Sequence, residues 1–453
     1  MTSTYASEHD IRRAFFEAMS LMYRTEVPLY GDLLDIVADI NTAVLTDDPE
    51  FAEHLKRHGE YERLGQERHG AIRVGTANEL AILRRAFAVM GMHPVGYYDL
   101  SVAGVPVHST AFRPVTLEGL HKNPFRVFTS LLRLELIDDD ELRRTAAALL
   151  GARSIMSPRA IALIEHFESS GGLSHEDAEE FVAEVLETFR WHSKTVVDSD
   201  TYHRLHEVHR LIADVTCFTG PHINHLTPRT LDIDAAQAEM GRRGMEAKDV
   251  IEGPPRRNAP ILLRQTSFKA LEEAVRFSDT PDGEHGKHTA RFGEIEQRGL
   301  ALTHKGRALY DALLDEARGE MGSQGSDYED RLNAAFEKFP DDYDTIRKEG
   351  LGFFRYLLVA DPNSVPRDAT LEEMISQGLI EVTPIVYEDF LPVSAAGVFQ
   401  SNLGGTEQRS YSAAEALAEF ERALGAAVSD PFELYAAIEQ SSREEIHVLL
   451  ARR

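Results

Sequence analysis

Arg68-His69-Gly70-Ala71-Ile72-Arg73-Val74 is a short run with strand character, and its place at the head of a repeated pattern decides the fold. A capped helix comes next: Thr76, then Glu79 three residues on, then an apolar stretch over 80–90. Two more strand-like runs occupy 93–102 and 105–115. The pattern then recurs. Pro221-His222-Ile223-Asn224-His225-Leu226-Thr227 leads through a helix-like stretch at 235–243 into strand-like runs at 261–267 and 291–298. Two βαβββ-like units predict an α+β fold, with a paired, curved sheet around a shared pocket and large helical insertions.

Upstream, residues 1–60 read as an N-terminal helical segment, because Ile11, Phe15, Met19 and Met22 recur at helical spacing, as do Leu33, Ile36, Ile40 and Val44. The first unit is placed at 61–120, a helical insertion at 121–218, the second unit at 219–304, and a mixed segment completing the fold at 305–453. Arg126-Val127-Phe128-Thr129-Ser130-Leu131-Leu132 is read as the start of the helical insertion. The insertion is expected to cover the pocket.

The 453 residues are 43% hydrophobic and 27% charged, the composition of an ordinary globular protein with ample core material. Seventy-five acidic residues against 48 basic ones give a net charge of -27, which argues against a nucleic-acid binder and against attachment to anionic membranes. Cys217 is the only cysteine, so an intrachain disulfide and a thiolate metal cluster are both excluded. The N-terminus has no charged n-region and apolar core of a secretory leader, and no stretch has the length of a membrane span, so the expected location is cytoplasmic.

Three candidate ligands emerge from the two units. On a strand, His69, Ala71 and Arg73 share one face, with a small residue between the two polar ones. A lone strand histidine is more often structural than ligating, and it is the matching histidine of the second unit that strengthens the metal reading. There, His222 and His225 are three apart and face opposite sides of a strand, while Pro221 and Pro228 disfavour a helix; His225 is preferred. Glu294 and Glu296 share a strand face, and two bare acids there would repel. Glu294 is preferred as the ligand and Glu296 is the alternative; the acid left over is expected to pair with Arg291 or Arg298, or to sit at the solvent end of the strand. Two imidazoles and a carboxylate make the three-ligand face of an open iron site. His203, His206 and His209 read better as a solvated helix face, and 283–288 as a flexible loop.

These phrases resemble a family. His69-Gly70-Ala71-Ile72-Arg73, the run from Gly220 to Arg229, Val250-Ile251-Glu252-Gly253-Pro254-Pro255, the run from Phe292 to Gly299, and the run from Pro392 to Gln400 are similar to the 2-oxoadipate dioxygenase/decarboxylase family of the vicinal-oxygen-chelate group. The resemblance spans about 8–450 in the same order. It implies a non-haem Fe(II) enzyme of lysine breakdown that converts 2-oxoadipate and O2 into 2-hydroxyglutarate and CO2. It places the metal ligands on His69, His225 and Glu294, a substrate-binding arginine on Arg73, and pocket-lining residues on Val393 and Ser394. Arg73, four residues from His69 on one strand face, suits a two-point contact to a carboxylate; its bland role is a salt bridge to a buried acid. The competing readings are a glyoxalase-like isomerase or lyase using another divalent metal, and a non-catalytic organic-acid-binding protein.

Overall fold

The computed structural model describes residues 5–248, 250–280, 286–318, 326–391 and 410–452. The chain forms two compact units: Met1–Asp249 with Gln265–Glu296 and Pro392–Ser429, and Val250–Arg264 with Gln297–Leu391 and Asp430–Arg453.

In the first unit the expected βαβββ pattern is present. Strand β1 (Arg68–Val74) is followed by the helix Ala77–Val89, β2 (His93–Asp99), β3 (Val107–Arg113) and β4 (Arg126–Leu132). The helix begins on a capping box in which Thr76 accepts from the Glu79 amide and Glu79 reaches back to the cap. Glu79 is buried, and Arg153 neutralises it through a paired contact. The strands lie in the order β2-β3-β4-β1-β5, where β5 is Ile223–Pro228. Strands β1 and β4 run parallel, and β5 runs antiparallel to β1.

Strand β4 corrects the sequence reading, since it falls in the stretch taken as helical. Every residue of β4 is buried. A strand covered on both faces carries no clean alternation, and a short, fully buried run such as Arg126–Leu132 then looks much like a buried helix turn. Its β-branched and aromatic residues, Val127, Phe128 and Thr129, carried the better signal.

The second repeat starts at β5, passes through the helix Ile233–Arg242, and continues with β6 (Leu263–Ser267), β7 (Glu272–Val275), β8 (Gly286–Thr289) and β9 (Glu294–Arg298). β6 pairs with β9, and β7 with β8 as a separate hairpin. A parallel bridge between Arg229 and Glu296 ties the end of β5 to β9. The sheets are thus small and open, with helical segments interposed, and the α+β reading holds.

The second unit has its own core, in which Leu300, Tyr310, Phe336, Ile346 and Phe354 are buried together. Its hairpin pairs β10 (Phe354–Leu358) with β11 (Ile380–Pro384), and the helices His304–Arg318, Ser326–Phe336 and Pro431–Ala451 belong to it. No helix among the described residues is long and apolar enough to cross a membrane.

Candidate metal centre

Register brings the two histidines together. On β1, His69 lies opposite Thr227 of β5, and Ala71 lies opposite His225. His69 and His225 are therefore diagonal neighbours on one sheet face, within reach of each other across the strands. Their rings meet edge to face with centroids 5.3 Å apart. Ala71, opposite His225, puts only a methyl group on that face between His69 and Arg73.

The third member comes from β9. Glu294 Oε2 lies 3.6 Å from His69 Nε2 and 3.6 Å from His225 Nε2. Thr227 Oγ1 and Gln265 Nε2 each donate to that oxygen at 3.3 Å. All three residues are buried, and their ligating atoms lie within 4.8 Å of one another. Tyr23, from the helix Glu8–Glu26, braces the two strands that bring in His225 and Glu294. Its hydroxyl lies 2.9 Å from the Asn224 carbonyl and 2.6 Å from that of Phe292, so one N-terminal side chain ties the residue before His225 to the residue two before Glu294.

The electrostatics favour a cation at this point. Burial pushes the His225 imidazole down to about 4, despite the Glu294 carboxylate beside it, so the ring is neutral at ordinary pH with a lone pair available. Neither His225 nitrogen has a hydrogen-bond partner among the described residues. A buried polar ring left in that state costs stability unless something occupies the site. Burial pushes Glu294 up, but His225 and His69 outweigh it and hold the carboxyl below its usual range. Burial pushes His69 down, and Glu296 with Glu294 outweighs that and raises it.

Glu296 has a different place from Glu294. Its Oε2 lies 2.8 Å from His69 Nδ1, on the far side of the ring from Glu294. Arg126 Nη1 of β4 is 3.9 Å from the other Glu296 oxygen. Arg291 pairs with Glu273 and Glu26, and Arg298 donates to the Tyr387 and Asp389 carbonyls, while Glu296 lies buried rather than at a solvent end. The sequence reading missed Arg126 because it lay in the run taken as helix.

Behind Glu296 the charges close. Arg126 donates to Glu67 at 2.8 Å, and Glu67 also accepts from Arg229 at 2.9 Å and Arg63 at 3.1 Å. Glu60, 3.2 Å from Arg63, supplies the remaining negative charge, so three arginines meet Glu60, Glu67 and Glu296. Glu67 is fully buried and serves all three cations. Glu67→Gln should therefore lower folding stability by about 3–5 kcal/mol, the range for removing one partner from a buried ion pair. Denaturant titration reads this; a change under about 1 kcal/mol would mean that water or a neighbour replaces the charge.

Arg73 Nη1 donates to Asp214 Oδ2 at 2.9 Å, with both side chains largely buried. The salt bridge weighed for Arg73 exists, but it uses one nitrogen, and the rest of the guanidinium makes no hydrogen bond among the described residues. His222 is not in the His69–His225–Glu294 group. It turns toward Asp214 Oδ1 at 3.5 Å and Asn224 Nδ2 at 3.1 Å, edge-on to Trp191. His203 and His206 lie exposed or half-exposed on the helix Ser199–Val208. Val393 and Ser394 lie outside the described residues. Asp214 and His288, which meet Arg73's neighbourhood, carried no sequence signal, because their partners are distant along the chain.

The model of the family described as 2-oxoadipate dioxygenase/decarboxylase matches residues 15–402. The chain is 56% identical over 447 residues to the 2-oxoadipate dioxygenase/decarboxylase of Pseudomonas putida, covering 97% of this chain and 96% of that protein. It is 55% identical over 445 residues to the Escherichia coli protein of that name, covering 97% and 98%. It is also similar to a crystal structure of hydroxyglutarate synthase from Pseudomonas putida in complex with 2-oxoadipate, with a TM-score of 0.93 and 54% identity over 99% of this chain and 100% of that one. The chain belongs to the 2-oxoadipate dioxygenase/decarboxylase family.

Proposed function

We propose that this protein is an Fe(II)-dependent dioxygenase that converts 2-oxoadipate and O2 into 2-hydroxyglutarate and CO2, with His69, His225 and Glu294 as the metal ligands and Arg73 as a substrate anchor. The observation that carries this reading is the buried convergence of those three side chains, with a neutral His225 that has no hydrogen-bond partner among the described residues. The donor set fits the ion: two imidazoles and a carboxylate on one face suit non-haem iron and leave positions for a 2-oxo acid. When bound, the iron supplies the redox chemistry with O2 that the side chains cannot.

The chain's own residues bind and orient. Glu296, against His69 Nδ1, fixes the tautomer in which Nε2 faces the ligand group. Arg73 stands four residues along β1 from His69, about 13 Å at strand rise. That separation suits an extended six-carbon diacid whose 2-oxo end sits at the metal and whose far carboxylate reaches the guanidinium. Val393 and Ser394 are included in the proposal as pocket-lining residues, on the resemblance alone. The substrate supplies its own 2-oxo acid, so no second oxo acid is consumed.

Anaerobic loading with Fe(II), then addition of O2 with 2-oxoadipate, tests the activity. Equal amounts of O2 consumed, CO2 released and 2-hydroxyglutarate formed are expected. Labelled O2 should place one atom in the hydroxyl and one in the new carboxylate. Turnover without O2 uptake would point to the isomerase reading instead. Glu296→Gln should keep bound metal but lose about 10- to 100-fold in activity, the usual cost of an outer-shell partner. Loss of metal in Glu296→Gln with retention in Glu294→Gln would exchange their roles.

A further inference from the structure

A second buried cluster adjoins Arg73 and is not used by the metal site. Asp214, on the helix Arg210–Thr216, accepts from Arg73 through Oδ2 at 2.9 Å. Its other oxygen meets His288 Nε2 at 3.0 Å, with His222 Nε2 at 3.5 Å. His288, on β8, is held in turn by the Tyr202 hydroxyl, 2.7 Å from its Nδ1, and by the Trp191 ring stacked on it. Burial alone would push Asp214 up, but His222, His288 and Arg73 hold it well below the usual carboxylate range, so it is an anion here.

The satisfaction of the two partners is unequal. Both Asp214 oxygens are engaged, and the residue is buried. Arg73 spends one nitrogen on it, is 14% exposed, and has the rest of its fork without a hydrogen-bond partner among the described residues. An arginine clamped at one corner, whose other donors meet no acceptor among the described residues, is suited to a third party that brings its own acceptor oxygens. The clamp fixes one corner of the guanidinium, so the direction of its remaining N–H groups is set by Asp214.

We propose that Asp214 is a positioning residue that aims Arg73 at the substrate's carboxylate, and that His288 and Tyr202 hold Asp214 in place. The β7–β8 hairpin and the helix Ser199–Val208 thereby set the aim of a residue on β1. This rests on the substrate role proposed for Arg73 and deepens it.

The test is a double-mutant cycle on the Fe(II)-loaded full chain, read by KM and kcat for 2-oxoadipate and by anaerobic binding of 2-oxoadipate. Asp214→Asn keeps the shape and removes the charge; it should raise KM and Kd by about 10- to 100-fold, the cost of misplacing an anchor by an ångström. Bound metal should be unchanged. In an Arg73→Ala background the same substitution should change KM by less than about threefold, because it acts through Arg73. Asp214→Glu should recover part of the loss. His288→Gln gives the same pattern at smaller size, and carries the test if Asp214→Asn does not fold. Equal losses with and without Arg73, or loss of metal in either variant, would overturn the proposal. A wild type that neither binds nor turns over 2-oxoadipate sinks the activity and this inference together. A wild type that does both, with additive losses in the cycle, sinks this inference alone.

Discussion

His225→Ala is expected to abolish stoichiometric metal binding and turnover while leaving the protein folded. The side chain makes no hydrogen bond among the described residues, and its removal gives up only the 3.6 Å contact of Nε2 with Glu294 and the ring contacts with His69 and Phe292. The substitution removes one of three donors, and a site with two is a poor holder of Fe(II). The loss should exceed the ~10–100-fold typical of outer-shell partners. Glu294→Ala should do the same, and it also removes the acceptor for Thr227 and Gln265. Metal content after loading with Fe(II) or Co(II), alongside the thermal midpoint, gives the answer. His222→Ala is the control and should retain metal, because His222 serves Asp214. A metal-replete His225→Ala protein would remove this residue from the ligand set.

Arg73→Ala should keep its metal and lose catalytic efficiency. Removing one partner of a charge-assisted pair in a partly desolvated pocket costs on the order of 2–5 kcal/mol, or roughly 30- to several-thousand-fold in kcat/KM. Part of that loss arises on the protein side, since Asp214 then keeps His288 and His222 as its charged or ionisable partners among the described residues. Lysine should rescue poorly: an ammonium can satisfy Asp214 or the substrate, but it cannot hold the fork that reaches both. Substrate comparison isolates the recognition part. If Arg73 meets the far carboxylate, the variant's loss should be large for 2-oxoadipate and small for 2-oxohexanoate. Equal losses on both would move Arg73 to the carboxylate beside the metal, and unchanged kinetics on both would remove it from the pocket.

The duplicated histidine pattern was legible because each copy opens on a strand with its own punctuation, and strand pairing then sets the two side by side. The two glutamates were not separable by the same means. Glu294 and Glu296 share a face, and periodicity treats them alike. Their surroundings in the fold separate them: Arg126 of β4 and the His69 Nδ1 edge are at Glu296, and the two Nε2 atoms are at Glu294. Reading β4 as helix therefore hid the residue that distinguishes the two acids. Asp214 stayed hidden for a simpler reason. It is one acid on a short helix, and nothing local marks it as the partner of an arginine on β1.

His69, His225 and Glu294 come from β1, β5 and β9, which enter the chain at widely separated points. Closing such long loops costs entropy before any contact returns it, so these side chains meet late on the way to the native state. An ion bound by all three recognises the finished topology and has little affinity for the open chain. It should act as a thermodynamic latch on the first unit. At a hundred times its dissociation constant, such a ligand adds about 2.7 kcal/mol to the unfolding free energy. The melting transition should climb with added Fe(II) or Co(II) under anaerobic conditions, and in His225→Ala it should stay where it began.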